Sequence, residues 1–242
     1  KQLAKMMNCL PKELIWTKGT TEALNLLANH YYKTLKSGDK ILLSQMEHHA
    51  NIVPWQRLTE KGIIIEYINV NNGILDMDDF NKKLDIHVKV VSICHASNVT
   101  GVINPIKEII KICKQNGTAT IIDAAQTFSH MNIDVKDLDC NFLVFSAHKS
   151  YGPNGLGVLY GKYKNLQNLS LYQVGGDTID VVTYKETIFQ TPPHCFEAGT
   201  PNISGVIGLG AAVDYLNSIG MDYIEKYEQY LTRYLIERLI KI

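Results

Sequence analysis

One lysine in this chain stands where an amine could do covalent work. In Ser146-Ala147-His148-Lys149-Ser150-Tyr151-Gly152-Pro153 it follows directly on the apolar run Phe142 to Phe145. Such a run reads as a buried strand, and α/β sheets bind ligands at the carboxyl ends of their strands. A lysine amine there can hold an aldehyde cofactor as an imine, the resting form of pyridoxal 5′-phosphate on its enzymes. Read alone, a loop lysine is a solvated charge. The stretch Ile121-Ile122-Asp123-Ala124-Ala125-Gln126 alters that weighting, because it puts Asp123 at the end of the preceding apolar run. A carboxylate beside a pyridine nitrogen keeps it protonated and strengthens the ring as an electron sink. The competing role for Asp123 is a turn or helix N-cap. Gln126 lies one short turn on, within reach of a ring substituent.

Three further stretches carry compatible chemistry. Lys18-Gly19-Thr20-Thr21-Glu22-Ala23 sets two hydroxyls at a helix start, where unpaired N–H groups and the helix dipole favour a phosphate. Thr20 and Thr21 are the candidate donors, and a plain threonine cap is the alternative. Gln45-Met46-Glu47-His48-His49-Ala50-Asn51 follows another apolar run, and a histidine there can stack on an aromatic cofactor. The adjacent histidines do not suggest metal, since successive side chains diverge and no HExxH spacing occurs. Asn98, before the turn at Gly101, could hydrogen-bond a ring from the sheet edge, or serve only the turn.

The elements that must position these residues recur as strand, loop and helix. Short apolar runs at Lys40 to Leu43, Ile63 to Ile68, Val88 to Ile93, Ala119 to Ile122, Phe142 to Phe145 and Gly157 to Tyr160 are largely continuous, which suits strands buried on both faces. Thr21 to Leu35 carries Ala23, Leu24, Leu27, Ala28 and Tyr31 on one stripe, and Pro105 to Gln115 has a proline start and an Asn116-Gly117 stop. The alternation predicts an α/β domain with a mostly parallel sheet. Helices are expected over Lys1 to Cys9, over Ile203 to Ile219 and from Asp222 to the end. The abrupt ends suggest a fragment.

Composition excludes little and agrees with this. Lys plus Arg equals Asp plus Glu at 24 each, so nothing general points to nucleic acid or an anionic membrane. No apolar run reaches 18 residues, and the N-terminus lacks the apolar core of a secretory signal. Cys9, Cys94, Cys113, Cys140 and Cys195 form no CxxC pair, so neither a zinc site nor a disulfide framework is expected, and reduced thiols in a cytoplasmic protein are.

Taken together, Gly19-Thr20-Thr21-Glu22, Ser44 to Trp55 (SQMEHHANIVPW), Ser97 to Gly101, Asp123 to Gln126, Ser146 to Pro153 and Phe196 to Asn202 (FEAGTPN) resemble the class V aminotransferase family, most closely its Suf-type cysteine desulfurases and selenocysteine lyases. The resemblance covers essentially the whole chain. It departs at Lys18, where the family often has arginine, and at Ala147, where it often has glycine. It implies the large domain of the PLP fold type I over residues 1–200, with a sheet of the seven-stranded type. Residues 201–242 would be C-terminal helices leading toward a small domain that is absent. It implies that Lys149 holds pyridoxal 5′-phosphate, that Asp123 pairs the pyridine nitrogen, and that Gln126 contacts the phenolic oxygen. His49 would stack on the ring and assist proton transfer. Thr21, Ser146 and His148 would bind the phosphate with Thr20 nearby, Asn98 would contact substrate or cofactor, and Thr200 would reach the phosphate site of a neighbouring subunit in a homodimer.

The implied reaction converts L-cysteine (or selenocysteine) to alanine, leaving a persulfide on an enzyme cysteine for transfer to an acceptor protein in iron–sulfur cluster assembly. In the family the nucleophilic cysteine and the arginine for the substrate carboxylate lie in a C-terminal region that this chain stops before. The expectation is therefore a chain inactive by itself. Two other readings stay open: another class V enzyme, kynureninase-like or an aminotransferase, and a non-catalytic fragment with a binding or structural role.

Overall fold

A computed structural model describes residues 1–241. Seven strands form its main sheet: β1 (Leu14–Thr17), β2 (Lys40–Ser44), β3 (Ile64–Ile68), β4 (Val88–Cys94), β5 (Ala119–Asp123), β6 (Phe142–Ser146) and β7 (Gly157–Gly161). Their order across the sheet is β1-β7-β6-β5-β4-β2-β3. The block from β3 to β6 is parallel throughout. Only β7 runs against its neighbours, pairing antiparallel with both β6 and β1. The mostly parallel α/β sheet is thus present, with its parallel strands ending on one edge.

The continuous apolar runs are explained by two separate cores, one on each face. Side chains alternate across a strand. Ile41, Leu43, Ile121 and Val144 face one core, while Leu42, Ile122, Leu143 and Phe145 face the other. Helix α2 (Thr20–Thr34) covers the first face, burying Ala23, Leu24, Leu27, Ala28 and Tyr31, the stripe its sequence predicts. Helix α4 (Ile106–Asn116) covers the second with Ile106, Ile109, Ile110 and Cys113, and stops at Gly117 in the left-handed region, where a residue without Cβ is unstrained. Between them in sequence lies α3 (Met77–Lys83), capped by the Asp76 side chain. Helix α5 (Ile203–Ile219) joins the α4 side through Leu209, Ala212 and Val213. The last helix, α6 (Met221–Leu239), bends away by 73° and is mostly exposed. No single helix among the described residues is long and apolar enough to cross a membrane.

Some boundaries differ from the sequence expectation. The helix expected over Lys1 to Cys9 is α1 (Gln2–Met6); the chain leaves it through Met7 and Asn8, the latter at φ 55°. Strand β1 has no counterpart among the expected strands. It is four residues long, lies at the sheet edge and takes its register from β7, which is 140 positions later in the chain and invisible to local pattern. A small hairpin, Ile179–Val182 with Thr187–Phe189, is likewise unanticipated, because its strands are largely solvent-facing and carry no buried stripe.

Candidate active site

The carboxyl ends of the parallel strands and the N-terminus of α2 converge on one cavity of about 210 Å³. Asp123, the last residue of β5, supplies its floor. Its carboxylate accepts the Ala125 N–H at 2.9 Å. Burial pushes the Asp123 carboxyl above the usual range, opposed by the Ala125 bond and by the nearby charges of Lys149 and His48. Lys149 enters from the neighbouring strand: β6 ends at Ser146, and a single helical turn, Ala147–Lys149, follows. That turn is pinned twice. Ser150 and Gly152 N–H both donate to the Ala147 carbonyl, and the Ser129 hydroxyl donates to the Lys149 carbonyl at 2.9 Å. The backbone of Lys149 is therefore fixed while its amine faces the cavity.

The α2 end is held by a residue from another element. Gly19, the N-cap residue, has no side chain to offer. Instead the Ser146 hydroxyl oxygen accepts the Thr20 N–H at 2.8 Å and shares a second 2.8 Å bond with the Thr20 hydroxyl. Glu22 in the first turn accepts the Lys18 N–H at 2.6 Å. Close approach makes this possible: a Cβ on Gly157 would lie 2.3 Å from the Gly19 Cα. The hydroxyls of Thr20, Thr21 and Ser146 thus gather with His148 at a helix N-terminus, a setting favourable to an anion.

Of the ten residues that the sequence marks as candidates, eight line this cavity: Thr20, Thr21, Asn98, Asp123, Gln126, Ser146, His148 and Lys149. His49 does not, and the expectation that it faces the site is corrected in favour of His48, which does. The reason is local geometry. His48 is an extended residue (φ −65°, ψ 149°) whose ring nitrogen caps the turn His49–Asn51 by accepting the Ala50 N–H at 3.1 Å; His49, the first residue inside that turn, projects elsewhere. Thr200 lies in a second cleft with Lys18 and Glu22 and is exposed there. The sequence reasoning also leaves out Cys94, whose thiol borders Asp123, and Glu47, buried behind the cavity. No group of side chains suited to a metal occurs among the described residues.

All five cysteines are unpaired. Burial raises every one of their thiols: Cys195 to about 11, Cys9, Cys113 and Cys140 to about 12, and Cys94 further still, where Glu47 and Asp123 add their repulsion. None is an activated nucleophile of the kind that a depressed thiol pKa marks.

A cavity with an amine over a buried carboxylate and an anion-favouring helix end suits an aldehyde cofactor with a cationic ring and a phosphate. Comparison with known proteins agrees. A family profile, Aminotransferase class-V, matches residues 1–242. The probable cysteine desulfurase of Halalkalibacterium halodurans is 44% identical over 234 residues, 96% of this chain and 58% of its own length. The cysteine desulfurase of Salmonella typhimurium is 43% identical over 247 residues, covering 100% of this chain and 61% of its own. Among solved structures, cysteine desulfurase CsdA of Escherichia coli superposes with a TM-score of 0.95 at 34% identity, over 100% of this chain and 61% of that one. The apo cysteine desulfurase of Thermococcus onnurineus NA1 gives 0.95 at 40%, over 99% and 60%. The chain spans about three fifths of the length of these relatives.

Proposed function

Because this chain belongs to the aminotransferase class-V family, we propose that it is the cofactor-holding part of a pyridoxal-phosphate-dependent cysteine desulfurase, which releases L-alanine from L-cysteine or the selenium analogue. The observation that carries this is the convergence of Lys149 and Asp123 on one cavity, beside the Thr20–Ser146 pair at the α2 N-terminus.

The fit to the cofactor is chemical as well as steric. Thr21, Ser146 and His148, with Thr20 behind them, would hold the phosphate. Asp123 would face the pyridine nitrogen; burial raises its carboxyl, and the Ala125 N–H and the nearby charges of Lys149 and His48 work against that rise. Gln126 and Asn98 would orient the ring substituents and the substrate, and His48 would stack on the ring. Lys149 would carry the cofactor and, once displaced by substrate, move protons from its amine. Bound there, pyridoxal phosphate supplies the electron sink that weakens the substrate's bonds at its α-carbon and, through it, the carbon–sulfur bond. The burial-raised thiols lead this reading to assign the sulfur-accepting nucleophile to none of Cys9, Cys94, Cys113, Cys140 and Cys195. The chain alone is then expected to bind cofactor without sustaining sulfur transfer.

The rest of the proposal follows the relatives. Sulfur would leave as a persulfide for an acceptor protein in iron–sulfur cluster assembly. The exposed Thr200 would serve the phosphate site of a partner in a homodimer, and five unpaired cysteines suit a cytoplasmic setting. The test is to add pyridoxal phosphate, reduce with borohydride and map the label by peptide mass. Label on the Lys149 peptide, absent from Lys149→Ala, is the expected result. Label elsewhere, or none, would sink the assignment. Alanine release from L-cysteine by the full-length gene product tests the reaction, and amino exchange with a keto acid instead would favour an aminotransferase.

A further inference from the structure

Behind the cavity lies an acid for which the scheme above has no use. Glu47 is 7% exposed, and its carboxylate collects three donors from three places. The Ser44 hydroxyl at the end of β2 donates to Oε1. The Cys94 N–H at the end of β4 donates to the same oxygen at 3.0 Å. The Asn51 amide donates to Oε2 at 2.7 Å. Asn51 is fixed in turn, since its oxygen accepts from the Trp55 indole at 2.9 Å and from the Ser92 hydroxyl at 2.5 Å. Trp55, Asn51 and Ser92 are all fully buried. Glu47 therefore clamps both ends of the turn that carries His48 and ties that turn to β4.

The clamp also abuts the cavity floor. Cys94, which donates to Glu47, is the register partner of Asp123 on the adjoining strand, and the next N–H, of His95, donates to the Asp123 carbonyl at 2.8 Å. From β4 the titratable group beside Glu47 is the Cys94 thiol, from β5 it is the Asp123 carboxylate, and its own segment adds the titratable His48 and His49 and the neutral Asn51, with the neutral Ser44 at the end of β2.

Building on the cofactor reading above, we propose that Glu47 is a positioning residue of the cofactor site: it holds His48 over the cavity and places a second negative charge behind Asp123. Burial pushes its carboxyl up to about 7, against the three donors, which favour the ionised form; the Asp123 charge adds a smaller push in the same direction as burial. The charge on the cavity floor then changes across neutral pH. A purely structural role would not predict that, because an isosteric amide could satisfy most of the same bonds.

The test uses the chain loaded with pyridoxal phosphate, following its visible absorption against pH. Loss of the Glu47 charge disfavours protonated forms of the bound cofactor, so in Glu47→Gln the pH midpoint should fall by roughly half a unit or more. Glu47→Asp, which restores the charge, should return it toward wild type. Infrared difference spectra of the apo chain add a readout free of cofactor: a buried carboxyl band titrating near neutrality should vanish in Glu47→Gln. Circular dichroism confirms that each variant is folded, and Glu47→Ala serves if the amide perturbs folding. Equal midpoints in wild type and Glu47→Gln, with the Lys149-dependent absorption intact in both, overturn the proposal while leaving the cofactor reading in place. Absence of any Lys149-dependent absorption in wild type overturns both.

Discussion

Two histidines stand side by side after β2, and only one reaches the cavity. Residue type and spacing mark the pair as candidates for stacking on an aromatic ligand, yet the choice between them depends on a backbone angle. His48 is extended and caps the following turn, while His49 lies within it. The consequence is measurable by titrating each variant with pyridoxal phosphate and following absorbance. His48→Ala should weaken binding roughly 3- to 10-fold, the loss of one aromatic contact of about 0.5–1.5 kcal/mol. His49→Ala, an exposed substitution, should leave the affinity within about twofold. An inverted pattern would return His49 to the site. The other candidates were legible for a physical reason: Asp123 and Lys149 each follow an apolar run long enough to read as a buried strand, and a residue just past such a strand has one place to be. Glu47 was not legible, because a carboxylate in a loop reads as solvated until the donors of Ser44, Cys94 and Asn51 are found around it.

At the scale of elements, the site depends on how closely β7 can lie against the start of α2. The two glycines that meet there, Gly19 and Gly157, are separated by 138 positions in sequence, and each alone reads as ordinary loop or strand-end flexibility. In the fold a methyl on Gly157 would stand 2.3 Å from the Gly19 Cα and 2.6 Å from its carbonyl carbon, contacts with backbone that no rotamer change relieves. Gly157→Ala must therefore push α2 and β7 apart. Overpacking of this kind costs about 1–3 kcal/mol, to be read as a lowered midpoint in urea unfolding. The same shift draws the Thr20 N–H away from Ser146, so affinity for the cofactor phosphate should fall as well. Gly155→Ala is a contrasting control, since nothing lies within 4 Å of its added methyl; its strain comes only from a φ of 71°. A Gly157→Ala protein as stable as wild type would show that the strand and helix are not held at this spacing. The runs that became β2 and β4 to β7 were readable because both faces are covered; β1 was not, because an edge strand of four residues owes its existence to the partner that it meets.

For the molecule as a whole, the sequence presents 24 Asp and Glu, 24 Lys and Arg and 8 His, and no hint of which are buried. The fold buries a few, and they pull stability in opposite directions with pH. His95, 7% exposed and bonded to the Thr127 hydroxyl at 3.0 Å, is lowered by burial to about 4. Below about 6.5 the unfolded chain binds a proton there that the folded chain refuses, so this group's contribution is present above that pH and is lost as pH falls toward 4. Glu47 has the opposite sign. Its folded carboxyl is raised from 4.5 to about 7, so the folded chain binds the proton first. That contribution is complete below about 4.5 and is lost as pH rises through 7. Asp123, raised by burial, acts in the same sense as Glu47. Between these limits the slopes oppose each other, so the wild-type profile alone does not resolve the contribution of any one group. Comparison with Glu47→Gln separates them, because every other titrating group is common to both proteins. The stability of wild type minus that of Glu47→Gln, from urea unfolding between pH 4 and 8, should decline as pH rises. The fall should total on the order of 3 kcal/mol, since each unit of pKa difference corresponds to about 1.4 kcal/mol, and should level off above neutrality. A difference that stays constant across that range would mean that Glu47 titrates alike in the folded and unfolded chain, and that the three donors offset its burial in full.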